Sequence, residues 1–153
     1  YAPGELVAVA FEGGQEIGQK SLTTAGDPAA ILLAPERAEI SADPDDLAFV
    51  TISVVDAAGK VVPDAEVRVE VDVTGAGTLT ALTNGDPQGV ASFRRGSRTT
   101  YLGLAQAIVA PSDVPGIVTI KAESPGLRSA RAQVRVVEQP SRLSRATLVT
   151  KAP

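Results

Sequence analysis

Histidine, cysteine, methionine and tryptophan are all missing from this 153-residue chain. Each absence removes a branch of chemistry. Without cysteine there is neither a disulfide nor a thiolate nucleophile, and without histidine there is no imidazole base. Together the two absences exclude thiolate and imidazole metal sites. Aromatic residues make up 3% of the chain, namely Tyr1, Tyr101, Phe11, Phe49 and Phe93. Phe11 and Phe49 fall in phase with apolar strand positions and are expected to be committed to packing. That leaves too few rings to stack on the faces of sugars or nucleobases. No segment approaches the ~20 consecutive apolar residues of a membrane-spanning helix. With 14 basic against 18 acidic side chains, the net charge of −4 disfavours nucleic acid as a partner. The chain opens on Tyr1-Ala2-Pro3-Gly4 in the middle of a pattern, with neither a basic n-region nor an apolar run before a small-residue cleavage site. It is therefore expected to be an internal or C-terminal piece of a longer protein, and its compartment stays open.

What the chain has instead is period-two alternation broken at short intervals by 14 glycines and 11 prolines, the signature of antiparallel strands. From Glu66 to Val73, the residues Val67, Val69, Val71 and Val73 share one face, and Arg68, Glu70 and Asp72 share the other. One face is buried and the other wet. Leu47 to Val55 repeats the pattern with Val50, Ile52 and Val54 inward, and Asp56-Ala57-Ala58-Gly59 then turns the chain. Further strands are expected near Thr78 to Leu82, Leu104 to Val109, Ile117 to Ala122 and Ala130 to Val137, punctuated by Gly75-Ala76-Gly77, Pro115-Gly116 and Pro125-Gly126. The spacing matches an all-β, immunoglobulin-like β-sandwich over residues 36–138.

Residues 1–35 form a different unit. Glu5 to Phe11 alternates, Glu12-Gly13-Gly14-Gln15 supplies a hairpin turn, Glu16 to Thr24 continues, and Gly26-Asp27-Pro28 precedes a third strand over Ala29 to Ala34. Three strands cannot enclose a core and leave open sheet edges. The expectation is that they are the last strands of a second, truncated immunoglobulin-like sandwich. Exposed edges in this unit also make a homodimer conceivable. Residues 139–153 form a C-terminal tail in which Leu143, Leu148 and Val149 suggest docking as an added strand.

Carboxylates, hydroxyls, Lys and Arg leave paired acids, a Ser-Lys arrangement or an oxygen-ligated cation as the remaining options. Asp43-Pro44-Asp45-Asp46 offers oxygens for Ca²⁺ but lacks the glycine and terminal glutamate of a calcium loop, and reads first as a solvated acidic turn. Lys20-Ser21 and Lys60 occupy surface strand or turn positions. Arg94, Arg95 and Arg98 form the densest basic run, either a carboxylate or domain clamp or a solvated loop. Asn84-Gly85-Asp86-Pro87 is a turn by its own chemistry. No catalytic, metal-binding or cofactor-binding residue is assigned, and no cofactor is expected.

The segments Tyr1-Ala2-Pro3-Gly4-Glu5-Leu6-Val7-Ala8-Val9-Ala10-Phe11, Gly14-Gln15-Glu16-Ile17-Gly18 and Thr24-Ala25-Gly26-Asp27-Pro28-Ala29 resemble the end of an immunoglobulin-like domain of bacterial β-galactosidases in glycoside hydrolase family 2. Asp46 to Ile52, Asp56-Ala57-Ala58-Gly59, Val62-Pro63-Asp64-Ala65, Gly75 to Leu79, Asn84-Gly85-Asp86-Pro87 and Gly103 to Val109 resemble that family's C-terminal sandwich. The resemblance covers most of Tyr1 to Val137. It implies a parent enzyme that hydrolyses a terminal β-galactoside or related glycoside with retention, using two glutamates in a barrel absent from this sequence. No catalytic residue carries over. The chain is therefore expected to be a non-catalytic accessory region, inactive alone, whose partners are the missing domains of its parent. The alternatives are a carbohydrate- or surface-binding module and an unrelated extracellular immunoglobulin-like adhesin repeat. Loops at one end of the sandwich would carry the binding.

Overall fold

A computed structural model describes residues 3–138. The expected docking of the 139–153 tail lies outside the described residues. Among them there is no helix, and eleven strands run in order: β1 (Glu5–Glu12), β2 (Gln15–Thr23), β3 (Ala30–Pro35), β4 (Glu39–Ser41), β5 (Ala48–Val55), β6 (Arg68–Gly75), β7 (Gly77–Thr83), β8 (Ser97–Thr99), β9 (Leu104–Pro111), β10 (Gly116–Glu123) and β11 (Ala130–Val137). The all-β reading holds. Strands β4-β11-β10-β6-β8 form one sheet, β3-β5-β9-β7 a second, and β1-β2 pair with each other as a separate ribbon.

The core lies between the two larger sheets because alternation puts every second aliphatic residue inward. Val50 and Ile52 of β5, Leu82 of β7 and Val109 of β9 meet Val69 of β6 and Ile120 of β10, all fully buried. A fully buried side chain of this kind contributes roughly 1.5–3 kcal/mol. Val54 is buried in a second cluster with Val62 and Ala65, just below the main core. Outward neighbours such as Arg68, Glu70 and Asp72 are exposed, as the pattern of β6 required.

The start of β6 shows a side chain replacing a sheet rung. Thr100, 2% exposed, donates its hydroxyl to Ala65 O at 2.6 Å, while Thr100 Oγ1 itself accepts from Val67 N at 3.0 Å. The ladder therefore begins at Arg68 rather than at Glu66.

One element sits elsewhere than expected. Ala29 to Ala34 was read as the third strand of the opening unit, but β3 pairs antiparallel with β5, from Ala30 opposite Val55 to Pro35 opposite Val50. Ile31 (5% exposed) is the reason, since it faces the main core with Leu33 partly packed beside it. The chain then crosses to the other sheet, where the short β4 runs parallel to β11. Ala30 also bridges Arg128. One open side of the sandwich is thus laced shut.

The opening unit is consequently a two-stranded ribbon. Its rungs run from Glu5 opposite Thr23 to Glu12 opposite Gln15, with a bulge at Ala10/Phe11. Every residue of both strands is exposed, including Leu6 (69%), Ile17 (63%) and Leu22 (66%). Phe11, expected in packing, is 65% exposed, because the two strands have no third layer to turn towards. Phe49 is half-buried, in line with its expected packing role.

Two tight passages depend on glycine. Gly75 (φ +91°) ends β6 where the chain changes sheets, and Gly103 (φ +73°) closes the turn into β9. A β-carbon at either would lie 2.1 Å from Ile117 O or 2.3 Å from Val62 O, respectively.

Candidate functional site

The side chains singled out in the sequence do not converge. The acidic turn is organised internally. Asp43 Oδ1 accepts from Asp45 N at 3.0 Å, and Asp46 accepts from Ser41 N at 2.7 Å and from Arg37 Nη2 at 2.5 Å. The Ser41 amide, helped by the Arg37 guanidinium, holds the Asp46 carboxyl below the usual carboxylate range. Its oxygens are already committed to donors. Among the described residues, no group of three or more acidic side chains is placed to hold a metal ion.

Asp56 is the more consequential carboxylate. It opens the turn after β5 and is 8% exposed. Oδ1 accepts from Ala58 N and Lys60 N, both at 2.9 Å, as an aspartate does when it templates a turn. Oδ2 accepts from Gly26 N at 2.8 Å, thirty residues away in the connection leaving the ribbon. The Gly26 amide first, then the Lys60 amide, lowers the Asp56 pKa against the opposing effect of burial. Lys60 completes the contact by donating its ammonium to the carbonyl and hydroxyl of Thr23. The turn is thus a clasp on the ribbon's exit.

A pH dependence follows from the sign of that shift. The folded-state pKa lies below the ordinary value of 3.8, so the stabilisation is complete above that value and is lost as the pH falls through the folded-state pKa. Acid unfolding followed by circular dichroism should fall less steeply below about pH 4 in Asp56→Asn than in the parent chain. Equal slopes would mean that the carboxylate contributes nothing to stability.

The basic run divides. Arg94 and Arg95 are exposed, while Arg98 is 7% exposed and spans the two sheets at the side opposite β3. Its Nε and Nη2 donate to Leu82 O at 3.1 and 2.9 Å, Nη2 also reaches Ser92 O at 2.9 Å, and Nη1 reaches Ala91 O at 3.3 Å. The Phe93 ring centroid lies 5.2 Å from the guanidinium carbon. Leu82 N donates to Phe93 O at 2.7 Å. Both outward backbone groups of Leu82, on the open edge of β7, are therefore satisfied by this segment rather than by another strand. Only the fold separates it from its neighbours, because Arg98 stands opposite Val69 in the β8–β6 pairing and so shares its inward face.

Asn84-Gly85-Asp86-Pro87 folds as the turn its residues dictate. Asn84 Oδ1 accepts from Asp86 N at 3.2 Å and Asp86 Oδ1 from Gln88 N at 2.9 Å. Lys20 and Ser21 lie on exposed β2, so the ribbon offers no enclosed pocket for Ser-Lys chemistry.

The acid of a glycoside hydrolase is a carboxyl whose pKa is raised. The two carboxylates with displaced values, Asp46 and Asp56, are both displaced downward. What the geometry provides is a rigid sandwich, an exposed apolar ribbon clasped to one end, and a shallow groove between them lined by Pro3, Thr24, Gly26, Pro28, Val61 and Pro63.

Known proteins bear directly on this arrangement. Residues 31–133 match the family described as glycoside hydrolase family 2 C-terminal domain 5. The chain is 34% identical over 138 residues to beta-galactosidase BoGH2A of Bacteroides ovatus, an alignment covering 90% of the chain and 16% of that protein. A glycosyl hydrolase family 2 member from Bacteroides cellulosilyticus superposes with a TM-score of 0.85 at 31% identity, over 90% of this chain and 18% of the other. A β-glucuronidase from glycoside hydrolase family 2 superposes with a TM-score of 0.77 at 26% identity, over 90% of this chain and 14% of the other. The chain thus spans less than a fifth of the length of each of these relatives.

Proposed function

The chain belongs to glycoside hydrolase family 2, through that family's C-terminal domain 5, and from this premise we propose that it is a non-catalytic accessory region of a glycosidase, inactive by itself. The match of residues 31–133 to that family's C-terminal domain carries the proposal, and the structural use of two acids supports it. Asp46 and Asp56 are held in the charged form by backbone amides, Asp56 acting as a structural clasp. Neither is poised to give up a proton to a leaving group. The name of the Bacteroides ovatus relative favours a β-galactoside as the parent's substrate.

The ribbon fits the same reading as the last two strands of a preceding immunoglobulin-like domain. Leu6, Leu22, Val7 and Phe11 are exposed on its faces, and a two-stranded ribbon is marginal in water without a covering layer. Its natural partners are then the other domains of its own polypeptide. A homodimer through the ribbon's open edges is the second reading, favoured by the same exposed edges.

The purified chain should give no turnover of a chromogenic β-galactoside above a buffer blank, while the longer polypeptide that contains it hydrolyses the substrate. Activity of the 153-residue chain alone would refute the accessory role. A longer polypeptide inactive on this substrate would refute the β-galactoside as the parent's substrate.

A further inference from the structure

The ribbon is planted on the sandwich with almost no slack. Its last rung joins Gly4 and Thr24, with Thr24 N donating to Gly4 O at 2.9 Å and Gly4 N donating to Thr24 Oγ1 at 3.0 Å. The next residue, Ala25, packs against the cluster of Val54, Val62 and Ala65. Gly26 is held by Asp56, and Ala29 N donates to Val55 O at 2.9 Å. No residue therefore intervenes between the ribbon's last rung and the sandwich core. Whatever buries the ribbon's apolar faces must stand beside this end of the sandwich.

That end carries exposed apolar side chains beside the charged Asp27, Lys60 and Asp64. Val61 (36% exposed), Leu102 (59%) and Leu104 (39%) are all on the surface there, and the Tyr101–Leu104 turn lies against Val61 and Val62 through Gly103. A β-carbon on Gly103 would sit 3.3 Å from Val61 Cγ1. The turn is a two-residue hairpin closed by Tyr101 N to Leu104 O at 2.9 Å and Leu104 N to Tyr101 O at 3.0 Å. Such a turn places both central residues at positive φ, which suits asparagine or glycine. Here the first is leucine at φ 52°, the one non-glycine residue in this region among those described. An exposed leucine kept in an unfavourable backbone conformation stabilises nothing within the sandwich, and such strain concentrates where a surface has a use.

We infer that the end of the sandwich bearing Val61, Leu102 and Leu104 is an interdomain contact surface, and that its occupant is the β-domain of the same polypeptide that buries the ribbon. The inference rests on the reading of the ribbon as strands of a preceding domain. It adds where that domain touches the sandwich and which side chains it covers. The clasp through Asp56 and Lys60 sets the angle at which the two units meet, and Leu102 is the side chain that projects across the joint.

Amide hydrogen exchange compared between the 153-residue chain and the longer natural polypeptide tests this. Amides of residues 5–23 and of residues 60–64 and 101–104 should all exchange more slowly, by roughly tenfold or more, in the longer protein. Slowing of the ribbon alone overturns this inference and leaves the accessory reading intact. Slowing of neither set overturns this inference together with the reading of the ribbon as strands of a preceding domain, as does slowing of the turns without the ribbon. Protection that rises with concentration in the 153-residue chain would make a second copy the occupant and also overturn it. A variant supplies an independent check. Leu102→Asn relieves the unfavourable φ and should raise the Tm of the 153-residue chain, while in the longer protein it should speed exchange at residues 60–64. An equal rise in Tm with unchanged exchange in both proteins would show that Leu102 is buried by nothing.

Discussion

Gly75→Ala should destabilise the chain by at least about 3 kcal/mol, lowering Tm by roughly 10 °C or more. Two effects add. The residue sits at φ +91°, where a β-carbon costs about 1–2 kcal/mol by local sterics alone. The new methyl group would also lie 2.1 Å from Ile117 O, the carbonyl that accepts from Ala76 N at 3.0 Å. Relief requires β6 to move away from β10 at the rung joining Gly75 to Val118, where the chain leaves one sheet for the other. Gly59→Ala is the control, since Gly59 has φ +82° but nothing within 4 Å of its added β-carbon. It should lose only the conformational part. Thermal unfolding of the two variants separates the effects, and equal losses would show that the close approach to Ile117 carries no weight.

Arg98→Ala should cost about 3–5 kcal/mol, because it strands three carbonyl oxygens that now share one guanidinium. Leu82 O on β7 and Ala91 O and Ser92 O on the following segment would lose charge-assisted donors together. The stacking of the guanidinium over Phe93 would go as well. Arg98→Lys should recover less than half of the loss, since an ammonium is a point donor and cannot span oxygens on two elements at once. The damage should be local before it is global. Limited proteolysis between residues 84 and 96 should accelerate in both variants at temperatures where circular dichroism still reports folded sheets. Cleavage at the parent rate, with Tm within about 2 °C of the parent, would mean that Arg98 is incidental to the closure of that side of the sandwich.

Position and burial divide what was legible in these residues from what was not. Val67, Val69 and Val71 announced the inner face of β6 because a strand's side chains alternate regardless of what lies across from them. The turn at Asp56-Ala57-Ala58-Gly59 was equally legible, as aspartate templates its own loop. The second oxygen of Asp56 was not, since its partner Gly26 is thirty residues away and no local rule pairs them. The run of Arg94, Arg95 and Arg98 looked uniform in one dimension, yet only Arg98 falls at a strand position facing inward. Ala29 to Ala34 had strand character but no label saying which sheet it belonged to. Ile31 settled that by joining the main core between the two larger sheets rather than packing against the ribbon.

Composition and alternation by themselves determined that this chain is all-β, that its core is aliphatic, and that imidazole and thiolate chemistry are closed to it. Those properties depend on residue type and on a period of two, both of which are local. Tertiary structure alone decided that β3 serves the sandwich, that Arg98 seals one side of it, and that Asp56 and Lys60 clasp the ribbon to one end. Each of those outcomes depends on which distant backbone groups would otherwise be left without partners. Only the folded chain brings those groups within 3 Å of the side chains that satisfy them.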